Sequence, residues 1–320
     1  MVKKTGKIVA GAVLLLLAWL LLVPPTGRPA GPVQPHNAVW LDRYWLRRDM
    51  SVSDMEHEIA RMVALNIKTL FVHAGPFNPD GSIPEYDPAR ILQIRAAAAN
   101  VRADVRVLAW LGGLNAAGGG DLDLLRADIR TRAAEEACRL QERGFDGIHL
   151  NIEPTPTGDE GFLLLLEATR ACLPEGAFLS VATNLWGPWW LPNHLLFSDE
   201  YLRHVSGLVD QIAVMNYDAY AVTGPLFRRI SAAQTRAALR AVQAANERTT
   251  VLIGVPAYPT EGGLRHWAPA ESVPNALAGI DAALASVSPA ALRRFEGVAV
   301  YAGWTASEQE WRSVGEWHGL

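Results

Sequence analysis

The sequence predicts a (β/α)8 barrel, and two observations carry that expectation. Eight short apolar, strand-like runs alternate with helix-like segments over about 280 residues, the size and rhythm of such a barrel. The residues at the carboxyl ends of the runs are polar and aromatic while the runs themselves are aliphatic, and that end is where a barrel places its chemistry. A doubly wound open sheet is the runner-up, weakened because no Gly-rich dinucleotide fingerprint follows the first run.

The elements begin after a distinct leader. Lys3, Lys4 and Lys7 precede an uninterrupted apolar run from Ile8 to Val23, which Pro24 and Pro25 end. The run is at the short end for a membrane-spanning helix, which needs roughly 17–25 residues. It is long for a signal-peptide core of about 7–15, and no clean small-x-small cleavage site follows. The expectation is an N-terminal signal-anchor (transmembrane) helix rather than a cleaved signal. The lysines stay inside and everything after Pro35 lies outside the cytoplasm. Residues 1–36 then form stub, anchor and Pro/Gly linker, and residues 37–320 form one barrel domain.

The strands are expected at Ala38–Leu41, Lys68–His73, Arg106–Leu111, Gly147–Ile152, Phe178–Thr183, Gln211–Asn216, Val251–Val255 and Gly297–Tyr301. Helices are expected at Ser53–Leu65, Leu122–Arg143, Glu160–Cys172 and Ala232–Ala245, the first with a cap at Ser51 or Ser53. Lys and Arg number 29 against 33 Asp and Glu, which gives no electrostatic reason to expect a nucleic-acid partner. Cys138 and Cys172 fall near the ends of consecutive helices; a disulfide and two buried thiols are both open readings. No histidine–cysteine cluster has zinc spacing, and neither a metal nor an organic cofactor is expected.

Reading the strand ends gives Asp42, Arg43, His73, Trp110, Asn151, Glu153, Asn184, Trp186, Tyr217, Asp218, Tyr258, Tyr301 and Trp304. Trp189, Trp190 and Trp267 fall in loops at the same end. Aromatic faces beside hydrogen-bonding groups suit a sugar, whose ring has an apolar C–H face and a polar rim.

The fourth strand is the most informative. Period-two alternation puts Ile148, Leu150 and Ile152 outward, under the helices. Gly147, His149, Asn151 and Glu153 then point into the barrel. Barrel interiors are usually filled by branched aliphatics, and an unpaired buried polar group costs on the order of 1–3 kcal/mol. A polar column ending in a carboxylate is hard to explain by stability alone.

The segment from Asp146 to Glu153 resembles the Asp-Gly-x-Asp-x-Asp-x-Glu strand of family 18 glycoside hydrolases, the chitinase-like proteins. Asp146, Gly147 and Glu153 match, while His149 and Asn151 stand in place of aspartates. Leu111-Gly112-Gly113 resembles that family's Ser-x-Gly-Gly turn, and Met215-Asn216-Tyr217-Asp218 its Met-x-Tyr-Asp. Gly254-Val255-Pro256-Ala257-Tyr258 is similar to Gly-x-Pro-x-Tyr. Tyr301 stands where a tryptophan is usual, with Trp304 nearby to take over stacking. Asparagine two before the glutamate is similar to the family 85 endo-acting N-acetylglucosaminidases.

The resemblance implies an extracytoplasmic glycosidase acting on an N-acetylated oligo- or polysaccharide by a retaining, substrate-assisted mechanism. Glu153 would be its general acid, assisted by Asn151, Asp146, Tyr217 and Asp218. It also implies substrate contacts from His149, Met215, Trp110, Asn184, Trp186, Tyr258, Tyr301 and Trp304. His149 has two open readings, support for Asn151 or Glu153 and a satisfied core histidine. A carbohydrate-binding protein on the same scaffold is the alternative function, favoured by the loss of two aspartates and opposed by the retained glutamate.

Overall fold

The computed structural model describes residues 35–317 apart from 49, 192–193 and 260–264. The expected signal anchor lies outside the described residues, within which no helix is long and apolar enough to cross a membrane.

Eight parallel strands close a barrel in sequence order: β1 (Asn37–Leu41), β2 (Ile67–His73), β3 (Arg106–Leu114), β4 (Gly147–Glu153), β5 (Phe178–Thr183), β6 (Gln211–Val214), β7 (Thr250–Pro256) and β8 (Phe295–Tyr301). Closure runs through Ala38 opposite Ala299 and Val39 opposite Val300. Each expected strand is present, with ends moved by a few residues. β6 stops at Val214 because the backbone curls: Asn216 N donates to Val214 O and Tyr217 N to Met215 O.

The principal helices are α1 (Val52–Val63), α2 (Pro88–Val101), α3 (Ala127–Glu142), α4 (Glu160–Cys172), α5 (Asp199–Leu208), α6 (Gly224–Ala245), α7 (Val273–Leu284) and α8 (Glu308–Glu316). Side chains start most of them. Ser51 accepts from Asp54 N at α1, Asp159 from Phe162 N at α4 and Ser198 from Tyr201 N at α5, each a cap worth typically about 1 kcal/mol. Cys138 of α3 and Cys172 of α4 form a disulfide, with Cα atoms 6.1 Å apart, so of the two readings the bridge is the one realised.

Alternation along the strands separates two cores. Outward residues such as Ile148, Leu150 and Ile152 join the large layer beneath the helices. The barrel interior is a second cluster containing Trp40, Phe71, Leu108, Trp110, Leu252 and Ala299. A hydrogen-bonded chain crosses its lower half. Trp40 Nε1 donates to His149 Nε2 (3.1 Å), which makes the imidazole Nδ1–H a donor to Ser180 Oγ (2.8 Å). Ser180 Oγ donates to Gln211 Oε1, and Gln211 Nε2 to Glu296 Oε2 (2.7 Å). With Arg106 stacked over Phe178 and 3.6 Å from Glu296, this chain fills the base.

Candidate active site at the barrel mouth

Glu153 is the last residue of β4, paired in register with Leu114 of β3. Burial raises the pKa of its carboxyl above the ordinary carboxylate value, because desolvation disfavours the charged form. The Asn151 side chain, hydrogen-bonded to it, and the Arg265 guanidinium pull the other way, while Asp218 pushes with burial. Asn151 Oδ1 is buried without a hydrogen-bond partner among the described residues. An amide with one end committed to the carboxylate and its oxygen unused is suited to receive an N–H donor from a ligand.

The segment after β6 brings a second set of groups. Tyr217 is 8% exposed and its ring stacks on Tyr301, centroids 4.8 Å apart and planes within 12°. Gly254 makes room for it, since a Cβ there would lie 3.0 Å from Tyr217 Cε1 and 2.7 Å from Val214 O. Burial and the nearby Glu153 charge raise the Tyr217 pKa well above its ordinary value, so its hydroxyl remains a donor. Asp218 accepts from Tyr258 Oη (2.6 Å) and pairs with Arg265 Nε (3.0 Å). Met215 is buried in a small cluster with Ala182 and Tyr217.

The aromatic groups continue as a wall. Trp304, about half exposed, lies parallel to Trp110 at 6.3 Å and edge-on to Tyr301 at 5.9 Å. Tyr258 stands edge-on to both Tyr217 and Tyr301 and stacks on His266 at 4.1 Å. A cavity of 270 Å³ opens here, lined by Asp218, Tyr258, Arg265, His266, Tyr301, Ala302, Trp304 and Thr305. A larger depression of 650 Å³ is walled, among the described residues, only by side chains of α3 such as Asp128, Arg132 and Glu135. Charged groups of one helix surface lack the convergent polar and aromatic groups of a binding site.

Four expected site residues are placed elsewhere. Asp146 sits at the base, where its carboxylate accepts from Val107 N (2.7 Å) and pairs with Arg95; it ties β4 to β3 and α2, outside the barrel. His149 is fully buried, about 13 Å along β4 from Glu153 at a strand rise of 3.3 Å per residue. It stacks on Phe71 at 3.8 Å, and burial lowers its pKa to about 3, so it is a neutral, satisfied core histidine. Asn184 spends its amide on Thr155 O and Leu195 O, holding the loop after β5 to the loop after β4. Trp186 turns outward to α6, where Arg240 lies 5.6 Å over its ring and Gln234 bonds its backbone.

Other contributors had no sequence signal. Glu271 is 1% exposed, accepts from Ala219 N and Ala221 N at 2.8–3.1 Å and meets His266 Nδ1 at 3.3 Å. It thereby holds the loop in which Asp218 and Tyr220 have φ of 54° and 55°, a left-handed conformation costing non-glycine residues roughly 1–2 kcal/mol. Asn115 donates to Asp159 (2.6 Å) and Thr155 (3.2 Å), steadying the turn after Glu153. Among the described residues, no three His, Cys, Asp or Glu side chains converge to hold a metal ion.

No protein-family model and no curated protein sequence matches the chain. Solved structures do. A chitinase from Chromobacterium violaceum is 14% identical, with 89% of this chain and 99% of that chain covered at a TM-score of 0.59. The Bacillus cereus spore cortex-lytic enzyme SleL is also 14% identical, with 90% and 74% covered at 0.55. A GH18 chitinase from Cycas revoluta, crystallised with (GlcNAc)4, is 13% identical, with 87% and 98% covered at 0.58. At these identities the likeness is one of fold: the chain is a (β/α)8 barrel similar to those of chitinase-like proteins.

Proposed function

We propose that the chain is an extracytoplasmic glycosidase of the chitinase-like superfamily, hydrolysing an N-acetylated glycan with Glu153 as general acid and base. The observation that carries the reading is the Glu153 carboxyl, partly buried at a strand end and bonded to an amide whose own oxygen has no partner among the described residues. Burial favours the protonated form that can donate to a glycosidic oxygen. Asn151 Oδ1 accepts the N–H of the substrate's acetamido group, and Tyr217 Oη donates to its carbonyl. The acetamido oxygen is thereby aimed at the anomeric carbon, and Glu153 later takes the proton of the hydrolytic water. Support for an exported location comes from the leader and from the Cys138–Cys172 bridge, since disulfides persist in oxidising compartments.

The test is turnover of N-acetylglucosamine oligosaccharides and peptidoglycan fragments by the parent chain and by Glu153→Gln. A general acid typically contributes 10²–10⁴-fold, so the variant should fall by about that factor while still binding. The neutral Asn151 beside Glu153 favours a second reading, a glycan-binding protein without catalysis. Binding without turnover in both proteins would establish that reading and refute the first.

A further inference from the structure

Among the described residues, the large apolar side chains that remain exposed are distributed unevenly. All but Leu92 lie at or after a strand's carboxyl end and no further than the first turn of the following helix. The apolar surface is therefore on the mouth face, and the flanks and base are nearly free of it. Its peak is the loop after β5, where Trp189 is 94% exposed, Trp190 63% and Leu191 46%. Tryptophans so exposed are unusual in a soluble domain, and clustered ones mark an interaction site. The pair is presented on a turn closed by Leu191 N donating to Pro188 O at 2.9 Å.

This loop is also continuous with the candidate active site. Asn184 Nδ2 donates to Thr155 O and Thr157 N to His194 O (2.7 Å), while Ser198 N donates to Thr157 Oγ1 (3.0 Å). Thr155 and Thr157 follow directly on Glu153 and Pro154. The loop that carries the two indoles is thus bonded to the segment that follows Glu153, while Tyr301 ends β8, three strands further round the barrel.

Three occupants could cover such a surface: a bilayer, a protein or a long sugar chain. The place where the undescribed N-terminal residues join the barrel argues against the bilayer. They enter β1 at Asn37, at the base, the opposite end of the barrel from the exposed indoles. Planar rings with free faces, beside a groove floored by hydrogen-bonding groups, match the alternating C–H faces and hydroxyl rims of a polysaccharide. We infer that Trp189 and Trp190 form a stacking platform, separate from the cleavage site, that holds a distal stretch of an insoluble glycan while the groove engages another. The inference rests on the glycosidase or glycan-binding reading of the same mouth. It adds that the preferred ligand is polymeric, and that the barrel provides its own surface-binding element.

The test is co-sedimentation of the full-length chain, in detergent and with Glu153→Gln to prevent turnover, with chitin and with peptidoglycan sacculi. Vesicles of phosphatidylethanolamine and phosphatidylglycerol, with the chain diluted below the detergent's critical micelle concentration, form a third arm. Trp189→Ala/Trp190→Ala should weaken polymer binding by roughly tenfold or more, the usual scale for losing anchoring tryptophans. Trp189→Phe/Trp190→Phe, which keeps an aromatic face, should restore most of it. An unchanged melting temperature excludes misfolding as the cause. Polymer binding indifferent to the alanine pair, or a vesicle affinity that alone depends on it, overturns the platform. So does failure to bind either polymer. Turnover of soluble oligosaccharides by the parent chain reports on the cleavage site separately. If turnover is present and the platform fails, only this inference falls. If turnover is absent and polymer binding depends on the tryptophans, the platform stands and catalysis falls.

Discussion

The buried imidazole of His149 makes a specific claim about acid stability. In the unfolded chain a histidine titrates near 6.5; in the fold, burial lowers His149 to about 3. Below pH 6.5 the unfolded chain therefore binds a proton that the folded chain refuses. Stability is fully present above the unfolded value and is lost as pH falls towards the folded one. At 1.36 kcal/mol per unit, His149 alone removes about 2 kcal/mol between pH 7 and pH 5. By pH 3 the loss is about 4 kcal/mol, close to the whole stability of a marginal domain. The perturbation to make is His149→Gln. Its Oε1 can accept from Trp40, its Nε2 can donate to Ser180, and it does not titrate. It forfeits the stack on Phe71, so it should be less stable at pH 7 by about 0.5–1.5 kcal/mol. Its further loss on going to pH 5 should nevertheless be about 2 kcal/mol smaller than the parent's. Urea unfolding followed by tryptophan fluorescence at both pH values measures the difference. The carboxylates and His73, itself lowered to about 4 by burial and the Arg43 and Arg47 charges, are common to both proteins and cancel. Equal losses in parent and variant would refute the neutral relay.

Five other perturbations test the site and its frame. Arg265→Ala removes a charge that lowers the Glu153 pKa and should move the alkaline limb of hydrolysis upward; Asp218→Asn removes one that raises it and should move that limb downward. Asn151→Leu, similar in volume, should cost about 10²-fold or more in kcat on N-acetylated substrates, because it deletes the group that orients the acetamide. Glu271→Gln should raise KM and destabilise the fold by about 1.5–3 kcal/mol, the scale of hydrogen bonds to a charged acceptor, with melting temperature and KM read together. Cys138→Ser opens a loop spanning 34 residues and should lower stability by about 3–4 kcal/mol on the chain-entropy model, measured against the oxidised parent protein, which reductant should destabilise by a similar amount.

What could be read in the sequence, and what could not, follows from the reach of each signal. Strand alternation is local and rigid, so the eight strands, their order and the inward column of β4 were legible. The same alternation also settles Asp146. It is one residue before Gly147 and so faces away from the column, and only the match to a family pattern had drawn it into the site. Depth along the barrel is a separate coordinate. His149 and Glu153 share a face, yet one is sealed among Trp40, Phe71 and Ser180 while the other reaches the mouth. Beyond the strand ends alternation has no authority, and Asn184 and Trp186 turn to support their own loop. Glu271, His266 and Arg265 follow the seventh strand by many residues, and no periodicity links them to the Asp218 turn they hold.

These placements bear on how the proposed acid is controlled. The inward face of β4 carries Gly147, His149, Asn151 and Glu153, and the histidine is held neutral by burial. Glu153 is then the only carboxyl on that face, its pKa raised by burial, and no carboxylate beneath it can exchange a proton with it. What shifts its proton besides burial and Asn151 comes from across the mouth, from Arg265 and Asp218. Both are positioned by loops: Asp218 by the strained turn that Glu271 clamps, Arg265 by its ion pair with Asp218. A strand that supplied its own aspartates would set the acidity of its glutamate rigidly. Here that setting belongs to the loops after β6 and β7. Ligand binding against Tyr258, Tyr301 and Trp304 that displaces the Arg265–Asp218 pair would change the Glu153 pKa at the moment the groove fills, so the pKa measured for the free chain should differ from the one governing kcat.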